Sequence, residues 1–326
     1  MSIFSDGMRT SLQEICSSGW NPGRQTAIMV ELDNRHIKYE TQFIDIWLPH
    51  QRNIIVDIPG ELPEIIYVTA HFDKIDAAPW GTFLGQLTIG LSDVCTSPFC
   101  LSDGAIDNGA SCAVLIQLAE WFTLHKPKYS LRFVWFGGEE VGLRGSKCHV
   151  ARLSSEEWDK VILAINLDGA GVTKHGSYIA NDLGSMEAIL DDTKDWGKLH
   201  VQSRLGKGSL FILATSDHAS FEGSNLPMTI LGGCLFHGLG AVLPRADWLD
   251  LYKEAKPTLF LSHWGKPEGL NEWNDWPVAA NLFLLPIASW HGMLDSASRI
   301  KPRYMYNSFA LTRHFIQNVG DKRGRQ

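Results

Sequence analysis

Histidine and carboxylate side chains stand at the ends of short apolar runs in this chain, in settings that suit metal-assisted hydrolysis. TAHFD supplies His71 and Asp73, AIDNGAS supplies Asp107, FGGEEVG supplies Glu139 and Glu140, and INLDG supplies Asp168. Any one of them alone would be an ordinary surface or hydrogen-bonding residue. Together, with one downstream histidine, they offer the mixed nitrogen and oxygen donors that a close pair of divalent ions needs. Such a pair needs a carboxylate shared between the ions, and Asp107 is the natural bridge. Gly137 and Gly138 free the backbone to turn before the glutamate pair. Consecutive side chains in extended geometry point to opposite sides, so one of Glu139 and Glu140 can bind metal while the other takes a proton. Asp73 lies two residues beyond His71, on the same side of an extended segment, and is placed to accept a hydrogen bond from the second imidazole nitrogen.

The elements that must hold these groups are legible from apolar spacing. Met8 to about Glu31 reads as two short helices joined by a turn at Asn21, Pro22 and Gly23. Thr41 to Trp47, Asn53 to Ile58 and Ile65 to Ala70 read as strands, the last running into His71. A helix follows Asn108, then a strand over Leu131 to Phe136, a helix around Lys147 to Leu153, and a strand over Val161 to Leu167. This alternation predicts an α/β protein of three layers, with a mostly parallel central sheet and helices on both faces. In such sheets sites gather at the carboxyl ends of strands, which is where His71, Glu139, Glu140 and Asp168 fall.

With 326 residues and 44% hydrophobic content the chain can bury a large core. We read residues 1–326 as a single domain, with an aromatic-rich loop over 76–103 that would flank the site. The net charge of −7, from 29 basic and 36 acidic residues, gives no nucleic-acid surface. The N-terminal stretch lacks the pattern of a secretory signal and no run is long enough to span a membrane, so a cytoplasmic protein is expected. Cys16, Cys95, Cys100, Cys112, Cys148 and Cys234 have neither zinc-ribbon nor disulfide-framework spacing and read as reduced thiols.

The segments AHFD, GAIDNGAS, FVWFGGEEVGLRGS and INLDGAG, in that order, resemble the M28 family of co-catalytic zinc exopeptidases. The resemblance is clear over about Asn53 to Gly171 and looser beyond. It implies two divalent ions, zinc first, one held by His71, Asp107 and Asp168, the other by Asp107, Glu140 and a late histidine. Glu139 would be the general base that activates the attacking water, and the peptide bond after Asp107 would be cis. In the last third the family's usual ligand motif is absent, and His218, His237 and His263 compete. His218 sits in TSDHASF, whose histidine is ordinarily no ligand in the family. His263 is chosen over His237 because it precedes a Pro-Glu-Gly-Leu segment and a long helical region, and this choice makes 238–262 an insertion. His125, His149, His175, His200 and His291 lie outside any ligand motif and are taken as ordinary.

The activity implied is that of a metallo-aminopeptidase acting on peptides. The alternatives are a glutaminyl-peptide cyclotransferase with one zinc and a non-catalytic binding protein of the same fold. Residue preference, native metal and oligomeric state stay open.

Overall fold

The computed structural model describes residues 2–45, 48–74, 102–140, 142–171, 177–180, 201–203, 216–222, 255–262 and 295–319. Two helices, α1 (Ser2–Ser17) and α2 (Asn21–Asn34), open the chain, with Pro22 in the first turn of α2, where its missing N–H costs nothing. Strands β1 (Glu40–Phe43), β2 (Arg52–Ile58) and β3 (Leu62–His71) follow. Next come α3 (Ala110–Leu124), β4 (Tyr129–Phe136), α4 (Arg144–Arg152), α5 (Ser155–Lys160) and β5 (Val161–Asp168). Short strands β6 (Ser177–Ala180) and β7 (Val201–Ser203), strand β8 (Thr258–Ser262) and the terminal helix α6 (Pro302–Asn318) complete the described elements.

One sheet runs in the order β1-β2-β4-β3-β5-β8-β6-β7. Its centre, β4-β3-β5-β8, is parallel, and the pairs β1-β2, β2-β4 and β6-β8 are antiparallel. Alternation along the strands divides the core. Ile66, Val68, Ala70, Phe133, Trp135, Ile165 and Leu167 pack with α1, α2, α3 and α6. Tyr67, Val134, Phe136 and Ala164 face the other way, against Val150, Leu153, Trp158 and Phe221 from the second helical layer. This period-two division is what a sheet buried on both faces requires.

Sequence spacing missed α5, because a helix of six residues carries little periodicity. Its start is nonetheless written locally: Ser154 accepts from the Glu157 amide while the Glu157 carboxylate accepts from the Ser154 amide. Such a reciprocal cap stabilises a helix start by about 1 kcal/mol. Part of the expected insertion over 238–262 is among the described residues. Thr258–Ser262 is β8, bonded to the central strand β5, so these residues belong to the sheet. Residues 238–254 lie outside the described residues, as do 76–101 of the expected loop. Among the described residues no helix is long and apolar enough to cross a membrane.

Candidate metal centre

The central strands deliver their last residues to one end of the sheet. His71 closes β3 opposite Phe136 of β4, and Asp168 closes β5 opposite Ser262 of β8. His71 Nε2 lies 3.1 Å from Asp107 Oδ1 and 3.7 Å from Asp168 Oδ1. Two groups of buried donors share that imidazole: His71 with Asp107 and Glu140, and His71 with Glu139 and Asp168. In each group the donor atoms lie within 4.8 Å of one another. Buried carboxylates crowded around a single imidazole repel one another unless protons or cations balance them. An oxygen-and-imidazole donor set without thiolate accepts zinc, and also cobalt or manganese. The residues present therefore fit divalent ions.

The turn bearing the glutamates is held by side chains rather than by the sheet. Its successive amides at Gly137, Gly138, Glu139 and Glu140 donate to Asn53 Oδ1, Gln51 Oε1, Asp73 Oδ1 and Asp73 Oδ2, at 3.2, 3.0, 3.1 and 3.2 Å. Gly138 has φ 65, a conformation that favours glycine. The amides of Gly142 and Leu143 then donate to the Glu139 carbonyl, and the buried Arg144 Nε–Asp45 Oδ2 pair at 2.6 Å secures the exit.

One expectation changes here. Glu139 and Glu140 lie in a turn rather than an extended segment, and both reach the cluster around His71. Asp73, expected to orient His71 through its carboxylate, has Oδ1 3.6 Å and its backbone carbonyl 3.1 Å from His71 Nδ1. The same carboxylate also accepts from the Glu139 and Glu140 amides.

Asp107 sits in a turn over Ala105–Gly109 that feeds α3, and the bond from Asp107 to Asn108 is cis. Asn108 Nδ2 donates to the Leu167 carbonyl and its Oδ1 accepts from the Gly169 amide, which brackets Asp168. Ser111 Oγ accepts from the Ala170 amide. From the far end of the chain, buried Asp295 accepts from the Ile106 amide at 2.5 Å, the Asp107 amide at 3.5 Å and the Ser102 hydroxyl at 2.8 Å. Cys112 donates to the His71 carbonyl, and burial pushes its thiol up to about 12. Cys16, Cys112 and Cys148 are free thiols.

Burial pushes the Glu139 carboxyl well above the usual carboxylate range; His71 opposes this, and the charges of Glu140, Asp217 and Asp168 add to it. Burial alone would lower the His71 imidazole, yet Glu139, Asp107, Asp168 and Asp73 together hold it well above its ordinary value. Asp217, at the start of the turn Asp217–Phe221, was not singled out from sequence. Burial raises it to about 7, against the effects of His71 and the Ser146 hydroxyl, with Asp73 and Asp168 raising it further.

That shift fixes a sign. Well below pH 3.8 the Asp217 carboxyl is protonated in folded and unfolded chains alike. As pH rises through 3.8 toward about 7 the unfolded chain releases the proton first, so folding stability falls, by a few kcal/mol in total. Asp217→Asn removes this loss. In the metal-free protein the variant is expected to melt with wild type at about pH 3 and above it at about pH 8, and equal melting at the higher pH would refute the assignment.

The structure thus brings together His71, Asp107, Glu139, Glu140 and Asp168, while His263 and His237 lie outside the described residues. His218 is buried in the turn beside Asp217. Gln51, Asn53 and Asp295 escaped sequence reading because each acts on backbone amides far along the chain.

A model of peptidase family M28 matches residues 53–316. Aminopeptidase YwaD of Bacillus subtilis is 27% identical over 165 residues, 49% of this chain and 30% of its own length. Leupeptin-inactivating enzyme 1 of Streptomyces exfoliatus is 28% identical over 191 residues, 57% of this chain and 36% of its own. The match thus spans about a third of each of these relatives. Among solved structures, an Acidobacteriales bacterium glutaminyl cyclase overlays with TM-score 0.61 at 16% identity, covering 98% of this chain and 95% of that one. A Zn-dependent exopeptidase from Parabacteroides distasonis gives 0.59 at 15% identity, covering 96% and 98%. These overlays share the three-layer fold.

Proposed function

The chain belongs to peptidase family M28, and from that premise we propose that it is a metal-dependent aminopeptidase that removes N-terminal residues from peptides. The observation that carries this reading is the pair of buried donor groups meeting at His71, at the carboxyl ends of parallel strands. His71, Asp107 and Asp168 would hold one divalent ion, zinc first. Asp107, Glu140 and a late histidine would hold a second. Bound there, the ions would polarise the scissile carbonyl and acidify the attacking water. Glu139 takes the proton of that water on its carboxylate and returns it to the departing amine. Asp73 holds the Glu139 and Glu140 amides at the geometry this transfer needs. The whole chain acts as one domain in this reading, in a cytoplasmic setting.

The test is an assay of zinc-loaded protein on peptides with free and with acetylated amino termini, beside a peptide beginning with glutamine. Release of the first residue from free peptides alone supports the aminopeptidase. Ring closure of the N-terminal glutamine with loss of ammonia would establish the cyclotransferase instead, and zinc binding without either reaction would establish a binding protein.

His263 stays the choice for the last donor, with His237 its rival. His263 follows directly on Ser262, the partner of Asp168 across the β5–β8 ladder. His291 joins the contest on a structural observation: Asp295, four residues later, bonds the amides of Ile106 and Asp107, and four residues reach at most about 14 Å. Zinc content should drop by about one equivalent in only one of His263→Ala, His291→Ala and His237→Ala. Wild-type content in His263→Ala would remove the choice made from sequence.

A further inference from the structure

A fully buried guanidinium on α2 joins the two loops that carry the first ligands. Arg24 Nε donates to the Phe72 carbonyl at 2.5 Å, Nη1 to the Asp103 carbonyl at 2.9 Å and Nη2 to the Gly104 carbonyl at 2.9 Å. Phe72 lies between His71 and Asp73, and Gly104 opens the turn that presents Asp107. Asn21, one turn earlier on the same helix, adds a reciprocal pair: the Lys74 amide donates to its Oδ1 at 3.0 Å and its Nδ2 donates to the Lys74 carbonyl at 3.3 Å. Gly104 is shaped for this approach. It has φ +60, and a Cβ there would stand 2.8 Å from Arg24 Nη1.

A buried cation is costly to desolvate unless its donors are satisfied. Among the described residues Arg24 forms no ion pair with a carboxylate, and its charge-assisted bonds go to backbone carbonyls on both loops. A rigid planar fork with diverging donors can hold two loops at a set separation, which a single ammonium cannot do. Helix α2 also precedes the segment that the family model matches, 53–316, so family membership assigns Arg24 no role.

We propose that Arg24 is a positioning residue for the metal centre, setting the distance between the His71 strand end and the Asp107 turn so that both ligands meet one ion. The proposal rests on the metal-centre reading above. Its test uses the full chain stripped of metal and titrated with Zn2+ alone, for wild type, Arg24→Met and Arg24→Lys, with metal-free thermal melts alongside. Arg24→Met is expected to lose roughly 10- to 100-fold in zinc affinity, the range for groups that orient ligands. Arg24→Lys keeps the charge and regains part of it. A purely structural arginine would lower the metal-free melting temperature and leave zinc affinity of the folded variants at the wild-type value, and that result overturns the proposal. If Arg24→Met does not fold, wild-type affinity in Arg24→Lys overturns it alone. A wild-type chain that takes up no zinc would instead overturn the metal reading itself.

Discussion

Glu139→Gln is expected to fold, to take up metal as wild type does, and to lose about 100- to 10,000-fold in turnover, the range for removing a positioned general base. That loss corresponds to about 3 to 5 kcal/mol of transition-state stabilisation. The substitution is nearly isosteric, and the contact that places residue 139 is made by its backbone amide to Asp73, which glutamine leaves intact. What disappears is the ability to accept a proton. The burial that lifts the Glu139 carboxyl above the usual range also moves it toward neutrality, where a group that accepts and then returns a proton works best. The measurement is kcat and KM on a free aminoacyl substrate, with zinc content determined on the same sample. A fall in kcat with KM and zinc unchanged supports the role. Near-normal kcat would move the base elsewhere in the cluster, with Glu140 first in line, since it shares His71 and the same Asp73 carboxylate.

The parts of the centre that sequence revealed are those whose signal is local. His71, Glu139, Glu140 and Asp168 each follow an apolar run or a glycine pair, so strand-end position and residue type announce them together, and Asp107 is announced by its place just before the apolar helix that follows Asn108. The supports stayed hidden for a common physical reason. Asp295 grips the amides of Ile106 and Asp107 from 189 and 188 positions away, Gln51 holds Gly138 across 87, and Arg24 reaches Phe72 and Gly104 across 48 and 80. A backbone amide or carbonyl has no side-chain identity, so its partner leaves no paired pattern in the sequence. Asp73 was half legible: its spacing from His71 announced the approach to the imidazole, while its grip on the Glu139 and Glu140 amides, 66 and 67 positions away, left no local signal. The fold was more legible than the supports, because burial on both faces of the sheet writes itself into continuous apolar runs. The small helix α5 and the strands β6, β7 and β8 were the exceptions, each too short to carry more than a few residues of apolar spacing.

Asp107→Asn is expected to abolish binding of both ions, because the proposed bridge contributes to each. The variant tests the bridge apart from the scaffold. The turn around residue 107 is tied by Asp295 to backbone amides, by Asn108 to Leu167 and Gly169, and by Ser111 to Ala170, and none of these uses the Asp107 carboxylate. An amide nitrogen then replaces one oxygen donor, and one negative charge leaves a cluster that already crowds Glu139, Glu140 and Asp168 around His71. Two effects follow. Without metal, relief of like-charge repulsion is offset by the weakened contact of residue 107 to His71, so the melting temperature of Asp107→Asn should stay close to that of wild type. With zinc at about 100 times the wild-type dissociation constant, wild type should gain about 2.7 kcal/mol from ligand linkage, and the variant almost nothing. Thermal melts of both proteins with and without Zn2+, beside metal content, read this difference directly. If Asp107→Asn retained one full equivalent of zinc and its stabilisation, Asp107 would belong to a single ion and the shared bridge would be refuted.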